Sequence, residues 1–433
     1  MSQYRAYPAY KDSGIEWIGQ VPEHWKVARV KRLASLRNER RNDVSTDTIY
    51  IGLEDVEAGS GQYKPTNGSS RQSEDSTVGI FSEGDVLYGK LRPYLRKAII
   101  SEMAGCCSTE FLVLRAEKTE PRWLQEWLLT PDVTHQIELG CEGAKMPRAD
   151  WEHIGSIEVV YPDQPEQAQI LTTLDRETAR IDALVEKKTR FIELLKEKRQ
   201  ALITHAVTKG LDPNVKMKDS GVEWIGLVPE HWKIAQIKRI SALNPRKSTL
   251  SEEKDSLCTF LPMEKLRNNA VTLDETRPIH EVYGGYSYFC DGDILIAKVT
   301  PCFENGNIAV ANGLVNGIGF GSTEINVLRV NGKGHNRFLY YRLQEEQFRT
   351  IAKSEMRGTG GLKRVPTDLF ESFTIGLPDT DEQATIAATL DSETARIDAL
   401  IGKAEQSITL LKERRSAFIT AAVTGQIDLR GRQ

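Results

Sequence analysis

The side chains best suited to chemistry in this 433-residue chain are cations set among tyrosines and glycines. Lys90, Arg92, Arg96 and Lys97 follow the apolar run GDVL, with Tyr88 and Tyr94 interleaved. A second group sits in glycine-rich loops, GCEGAKMPR at 140–148 and RGTGGLKRVP at 357–366, which supply Lys145, Arg148, Arg357, Lys363 and Arg364. Such residues suit contact with DNA. Glycine lets backbone approach a duplex closely, and lysine and arginine reach phosphate oxygens or the O6 and N7 atoms of guanine. The alternative for each group is a solvated turn. Catalytic signals are poor by comparison. His24 and His231 sit in identical EHW contexts with no paired cysteine or serine motif, which reads as structural. Glu166-Gln167 and Glu382-Gln383 precede long helical stretches and read as helix-start chemistry. A nuclease-like pattern can be forced from Pro162-Asp163 and Glu186-Lys187-Lys188, but the corresponding stretch downstream is Gly402-Lys403-Ala404. There is no G-x-x-x-x-G-K-[ST] phosphate loop and no glycine-rich loop suited to S-adenosylmethionine. No catalytic and no metal-ligating residue is expected.

These cations sit in a chain that repeats itself. KDSGIEWIGQVPEHWKVARVKRL at 11–33 returns as KDSGVEWIGLVPEHWKIAQIKRI at 218–240, with 17 of 23 positions identical. LDRETARIDAL at 174–184 returns as LDSETARIDAL at 390–400. A duplication on this scale implies two similar modules. The stretches between the repeats have diverged but stay related: FSEGDVLYGKLRP at 81–93 answers FCDGDILIAKVTP at 289–301, and CSTEFLVLR at 107–115 answers GSTEINVLR at 321–329. Their Val, Ile, Leu, Phe and Tyr, broken by Gly, Asp, Asn and Pro, read as strands and turns. RWLQEWLL at 122–129 and NRFLYYRLQEEQFRTIA at 336–352 read as helices. Each inter-repeat region is thus a mixed α/β domain. In the second, only Lys298 matches a cation of the first group, at the place of Lys90, while Val299-Thr300 replace Leu91-Arg92. A matched lysine beside unmatched neighbours suits a shared phosphate contact flanked by base-reading positions.

Long helices must position these domains. Apolar residues recur at Leu174, Ile181, Leu184, Phe191, Ile192, Leu195 and Leu202, and again at Leu390, Ile397, Leu400, Ile408, Leu411 and Phe418. The alternating spacing of three and four predicts one apolar seam per helix, and the two copies are natural mates in a two-helix coiled coil. Lys188 and Ala404 interrupt the seam. Gly210, Asp212 and Pro213 end the first helix. Trp17, Trp25, Trp224 and Trp232 of the repeat boxes read as small aromatic cores tying each box to its module, a partner-docking surface being the other reading.

Bulk properties bound the rest. Length implies two to four domains. Net charge is −4, so DNA binding would rest on local basic clusters rather than global charge. No apolar run approaches the ~20 residues of a membrane helix. The opening MSQYRAYPAYKDSG lacks the apolar core of a signal peptide, and six cysteines without a C-x-x-C pair suit reduced thiols, so a cytoplasmic protein is expected.

The motifs D-S-G-[IV]-E-W-I-G-x-V-P-E-H-W, then P-x-x-x-E-Q at 162–167 and 378–383, then L-D-x-E-T-A-R-I-D-A-L, occur in order in both copies. Together they closely resemble the specificity subunit of type I restriction-modification systems. The resemblance implies an α+β chain: two mixed α/β target recognition domains, joined by two long helices packed as an antiparallel coiled coil, in a pseudo-two-fold internal repeat. It implies a first recognition domain with its box at 1–160, a spacer helix at 161–212, a second domain with its box at 213–376, and a second helix and tail at 377–433. Each domain would read one half of an asymmetric, interrupted DNA site, with half-site centres near one helical turn apart (~10 bp). The partners implied are double-stranded DNA, two adenine methyltransferase subunits and, in a restricting assembly, two ATP-dependent motor-nuclease subunits. By the same resemblance, S-adenosylmethionine, ATP and Mg²⁺ would belong to those partners, and no cofactor is expected in this chain. Arg180 and Arg396, in identical ETARIDAL stretches, either pair with nearby acids or contact the partner. The competing expectation is a helical scaffold or regulatory protein-binding subunit without sequence-specific DNA recognition.

Overall fold

The computed structural model describes residues 5–45, 47–65, 76–143, 145–247, 250, 253, 255–359 and 361–430. The chain forms two units, one of residues 1–189 with 405–433 and the other of 190–404.

In the first unit, the repeat box folds as a small hairpin, Tyr10–Asp12 against Gln20–Pro22. The strand Lys26–Arg29 follows and pairs antiparallel with Glu158–Tyr161 from the far end of the domain. Between these lie two four-stranded sheets. The first is antiparallel, in the order Ala34–Leu36, Phe111–Ala116, Val86–Gly89, Ala98–Ile100. The second runs Arg40–Arg41, Val78–Phe81, Gly105–Cys107, Tyr50–Ile51, with its last pair parallel. The run DVLYG explains itself here. Side chains alternate across a strand, and both faces of this strand are covered. Val86 and Tyr88 pack with Leu124, Trp127 and Leu128 of the helix Pro121–Leu128 and with Val133 and Ile137 of the helix Pro131–Glu138. Leu87, Ile99 and Val113 pack against Phe81, Ile51 and Cys107 of the second sheet.

The second unit repeats the plan. Its antiparallel sheet is Ser241–Leu243, Ile325–Val330, Ile294–Ala297, Ile308–Val310, and its mixed sheet is Thr276–Pro278, Leu257–Leu261, Ile318–Gly321, Ser287–Cys290. The alternation returns: Ile294 and Ile296 face a core with Phe338, Leu339 and Phe348, while Leu295 and Ala297 face Leu261 and Phe289. Lys233–Gln236 pairs with Thr374–Leu377, as in the first copy.

The long helices are Gln164–Lys209 and Thr380–Val423. At ~1.5 Å per residue, 46 residues span roughly 70 Å. Each begins about ten residues before the apolar seam, so P-x-x-x-E-Q lies across the first turn. Within each unit the helices pack antiparallel. In the first, Ile170, Leu171 and Leu174 cluster with Phe418, Ile419 and Ala422, and Arg415 bonds Asp182 at 3.0 Å. In the second, Ile203 and Val207 cluster with Ile386 and Leu390, and Arg199 bonds Asp398 at 3.0 Å. Asp182 and Asp398 are the same residue of the two ETARIDAL copies, so the contacts are repeat-equivalent. The seam differs from expectation in detail. Ile181, Ile192, Leu195, Ile397 and Ala404 are buried, but Leu184, Phe191 and Leu400 are exposed. A straight helix drifts ~20° per heptad against a strict seven-residue repeat, which carries some seam positions off the contact. Both helices end at a left-handed glycine, Gly210 and Gly425, at φ +79° and +76°. A Cβ on Gly425 would lie 2.4 Å from Pro22.

Candidate nucleic-acid interface

The acid and amide of each P-x-x-x-E-Q motif work as fasteners. Helix-start capping comes instead from Asp163 and Asp379, whose carboxylates accept from the Glu166 and Glu382 amides at 3.0 and 2.8 Å. The Glu166 carboxylate turns toward the box. It accepts from Trp25 Nε1 at 3.2 Å and from Tyr7 Oη at 3.0 Å, and lies 2.7 Å from His24 Nε2. Glu382 holds Trp232 Nε1 at 3.1 Å and His231 Nε2 at 2.7 Å. Gln167 and Gln383 turn toward the recognition domains. Gln167 Oε1 accepts from Thr119 Oγ1 and the Glu120 amide, and Gln383 Oε1 accepts from the His335 amide at 2.8 Å. Arg122 and Arg337, one on each domain's helix, reach Asp175 and Asp391 of the L-D-x-E-T stretches. This explains the invariance of the frame between copies. One helix turn clamps the box with an acid and the domain with an amide.

The histidines are thus structural. Trp25 and Trp232 are fully buried, as an aromatic core requires, while Trp17 is half-buried and Trp224 exposed. Arg180 bonds Glu177 of its own helix at 2.9 Å, and Arg396 is exposed. Among the described residues no group of His, Cys, Asp and Glu could hold a metal ion, and no helix is long and apolar enough to cross a membrane.

The two basic segments, some sixty residues apart in sequence, meet at one corner in each unit. In the first, the Lys90 amide donates to Glu110 O and Lys90 O accepts from the Ala149 amide, both at 2.9 Å. Arg92 donates its amide to Pro147 O at 2.8 Å. In the second, the Lys298 amide donates to Glu324 O at 3.0 Å and Lys298 O accepts from the Val365 amide at 2.8 Å. The glycine-rich loops close as small fingers. Glu142 and Arg148 exchange backbone hydrogen bonds at 3.3 and 3.0 Å, and Arg357 and Arg364 do so at 2.9 and 2.8 Å. Lys145 and Lys363 are exposed on these fingers. Ala144 and Gly360, one in each, lie outside the described residues.

Sequence reasoning missed the acid at this corner. Arg148 Nε and Nη2 donate to Glu110 Oε2 and Oε1 at 3.2 and 3.3 Å. Arg364 makes the same two bonds to Glu324, at 2.9 and 2.6 Å. Those hydrogen bonds hold the Glu324 carboxyl below its ordinary range. Side-chain exposure is also the same in both copies, 48% for the arginine and 27% for the glutamate. The only hint was the STE shared by CSTEF and GSTEI. Two other cations are committed within their own domain: Lys97 Nζ donates to Leu53 O at 2.7 Å, and Arg96 Nη1 to Leu129 O at 3.4 Å.

A family model described as type I restriction modification DNA specificity domain matches residues 229–410, from the second box into the second long helix. The matched stretch is less than half of the chain, and it is similar to that domain. It is 31% identical over 198 residues to the type I restriction enzyme EcoEI specificity subunit of Escherichia coli, covering 46% of this chain and 33% of that one. It is 34% identical over 185 residues to the EcoAI specificity subunit of the same organism, covering 42% and 31%. These matches span about a third of the relatives' length. A solved structure titled for complex assembly and conformational transition of the type I R-M system shares the fold, with TM-score 0.70 and 18% identity, over 93% of this chain and 98% of that one. The fold shared with that structure extends along almost the whole chain: two mixed α/β domains with long, antiparallel-packed helices.

Proposed function

We propose that this chain is the DNA-recognition subunit of a type I restriction-modification complex, and that each of its two domains reads one half of an asymmetric, interrupted site. The observation that carries the reading is the basic corner. Two separate cationic segments converge on the same backbone frame in both units, while neighbours of the shared lysine and arginine, such as Leu91-Arg92 against Val299-Thr300, differ. Lys90, Arg92, Lys145 and Arg148 form the surface in the first domain, and Lys298, Arg357, Lys363 and Arg364 in the second. Arg96 and Lys97 support loops behind it.

In this reading the chain performs no chemistry. It binds double-stranded DNA in the cytoplasm and positions two methyltransferase subunits that modify adenine N6. Those subunits hold S-adenosylmethionine, and motor-nuclease subunits, where present, use ATP and Mg²⁺. Arg180 and Arg396 lie on helix faces open to such partners.

Long-read sequencing of adenine methylation, with and without this gene, tests the proposal. A bipartite motif should vanish on deletion and return on complementation. Replacing Lys145 with Ala should then degrade the half-site read by the first domain and leave the other intact. No change in the methylome on deletion, together with failure to co-purify a methyltransferase, would favour a helical scaffold instead.

A further inference from the structure

We propose that Lys90–Glu110–Arg148 and Lys298–Glu324–Arg364 are equivalent phosphate clamps, each holding the DNA backbone of its own half-site, with the glutamate as a positioning residue. The inference rests on the reading of the chain as a DNA-recognition subunit and assigns a division of labour within that surface.

The domains diverge around this corner: Leu91-Arg92 becomes Val299-Thr300, and the finger enclosed by the closing pair has five residues in one copy and six in the other, 143–147 against 358–363. The triad does not diverge. Its lysine has the same two backbone bonds, and its arginine places the same two nitrogens on the same two carboxylate oxygens. An arginine–glutamate pair set alike in two domains, beside a lysine whose backbone is held alike, cannot supply the difference between two half-sites. The feature that any two duplex half-sites share is the phosphate backbone, whose contacts position a protein and carry no sequence information directly.

The chemistry fits. The carboxylate occupies Nε and one proton of Nη2, leaving both Nη1 protons and the other Nη2 proton for an outside acceptor. A guanidinium fixed on one edge loses less side-chain freedom on binding. The carboxylate also offsets its charge, so the triad carries about one net positive charge. That mutes attraction for an unseated duplex.

The test uses the full-length chain in the complex with which it purifies, and duplexes bearing or lacking the site defined by methylation sequencing. Dissociation constants are measured across a salt series. Arg148→Ala or Arg364→Ala should weaken binding about tenfold, make the slope of log K against log[salt] shallower by about one, and leave both half-sites unchanged. Arg148→Lys should keep the slope, which separates charge loss from misfolding. Glu110→Gln should tighten binding to duplex lacking the site and lower the ratio of specific to non-specific affinity. An altered half-site in the arginine variants, or an unchanged slope, overturns the clamp. A wild-type complex that does not distinguish the two duplexes overturns the DNA-recognition reading itself.

Discussion

Glu166 carries more of the first unit's architecture than its place in a helix-start motif suggests. Its carboxylate takes hydrogen bonds from two buried groups, Trp25 Nε1 and the Tyr7 hydroxyl. Burial and the neighbouring Glu166 charge both push the Tyr7 hydroxyl above its ordinary range, so it stays protonated and donates. In Glu166→Ala those donors lose their acceptor inside the core. A buried donor left unsatisfied costs about 1–3 kcal/mol, so urea denaturation should show a loss of at least that size. Glu382→Ala should cost less, because the Glu382 side chain is 28% exposed against 8% for Glu166, and water can replace it. Equal losses would mean that the clamp is not what sets the penalty. The two positions are indistinguishable in sequence. The difference comes from outside the motif: Tyr7 joins Trp25 and His24 on Glu166, and Arg430 lies 3.7 Å from the same carboxylate.

At the scale of elements, the helix pair is held by burial more than by charge. Leu174 and Leu390 are almost fully buried. Replacing either with Ala should cost about 2–5 kcal/mol, the range for large-to-small core changes. The Asp182–Arg415 and Asp398–Arg199 pairs are partly exposed, so a double-mutant cycle on either should return a coupling of only about 0.2–1 kcal/mol. A larger coupling would make the ion pairs the main lock. The frame was legible because its signals are local: an apolar period of three and four, a glycine after the last turn, an apolar strand entered by a Gly-Asp turn. What stayed illegible depends on what packs across from a residue. Periodicity placed Leu184, Phe191 and Leu400 on a seam, yet helix drift leaves them exposed. The same limit hid the site's organisation. Lys90 and Arg148 were each visible as cations, but only the pairing of Phe111–Ala116 with Val86–Gly89 brings Glu110 and its arginine to the lysine.

For the molecule as a whole, both crossings of the chain from one unit to the other, at 189/190 and 404/405, fall inside the long helices. If these helices set the gap between half-sites, lengthening them should lengthen the gap. The place to do so is not the stretch THAVTKGLD at 204–212, at the end of the first long helix. Ala206 and Val207 are buried in the second unit's core, so an insertion there would disrupt that core. Matched seven-residue insertions after Thr189 and after Ala404 keep the apolar repeat in phase and leave both cores intact. Seven residues add about 10 Å of helix. Along a duplex rising ~3.4 Å per base pair, that is roughly three base pairs. Three base pairs also turn the duplex by about 100°, so affinity should fall even where the new gap is accepted. Methylation sequencing of the variant should therefore show the same two half-sites, a gap longer by about three, and incomplete modification. The same half-sites at an unchanged gap would show that something other than helix length sets the spacing. Altered half-sites would place sequence reading in the frame rather than in the residues mounted on it.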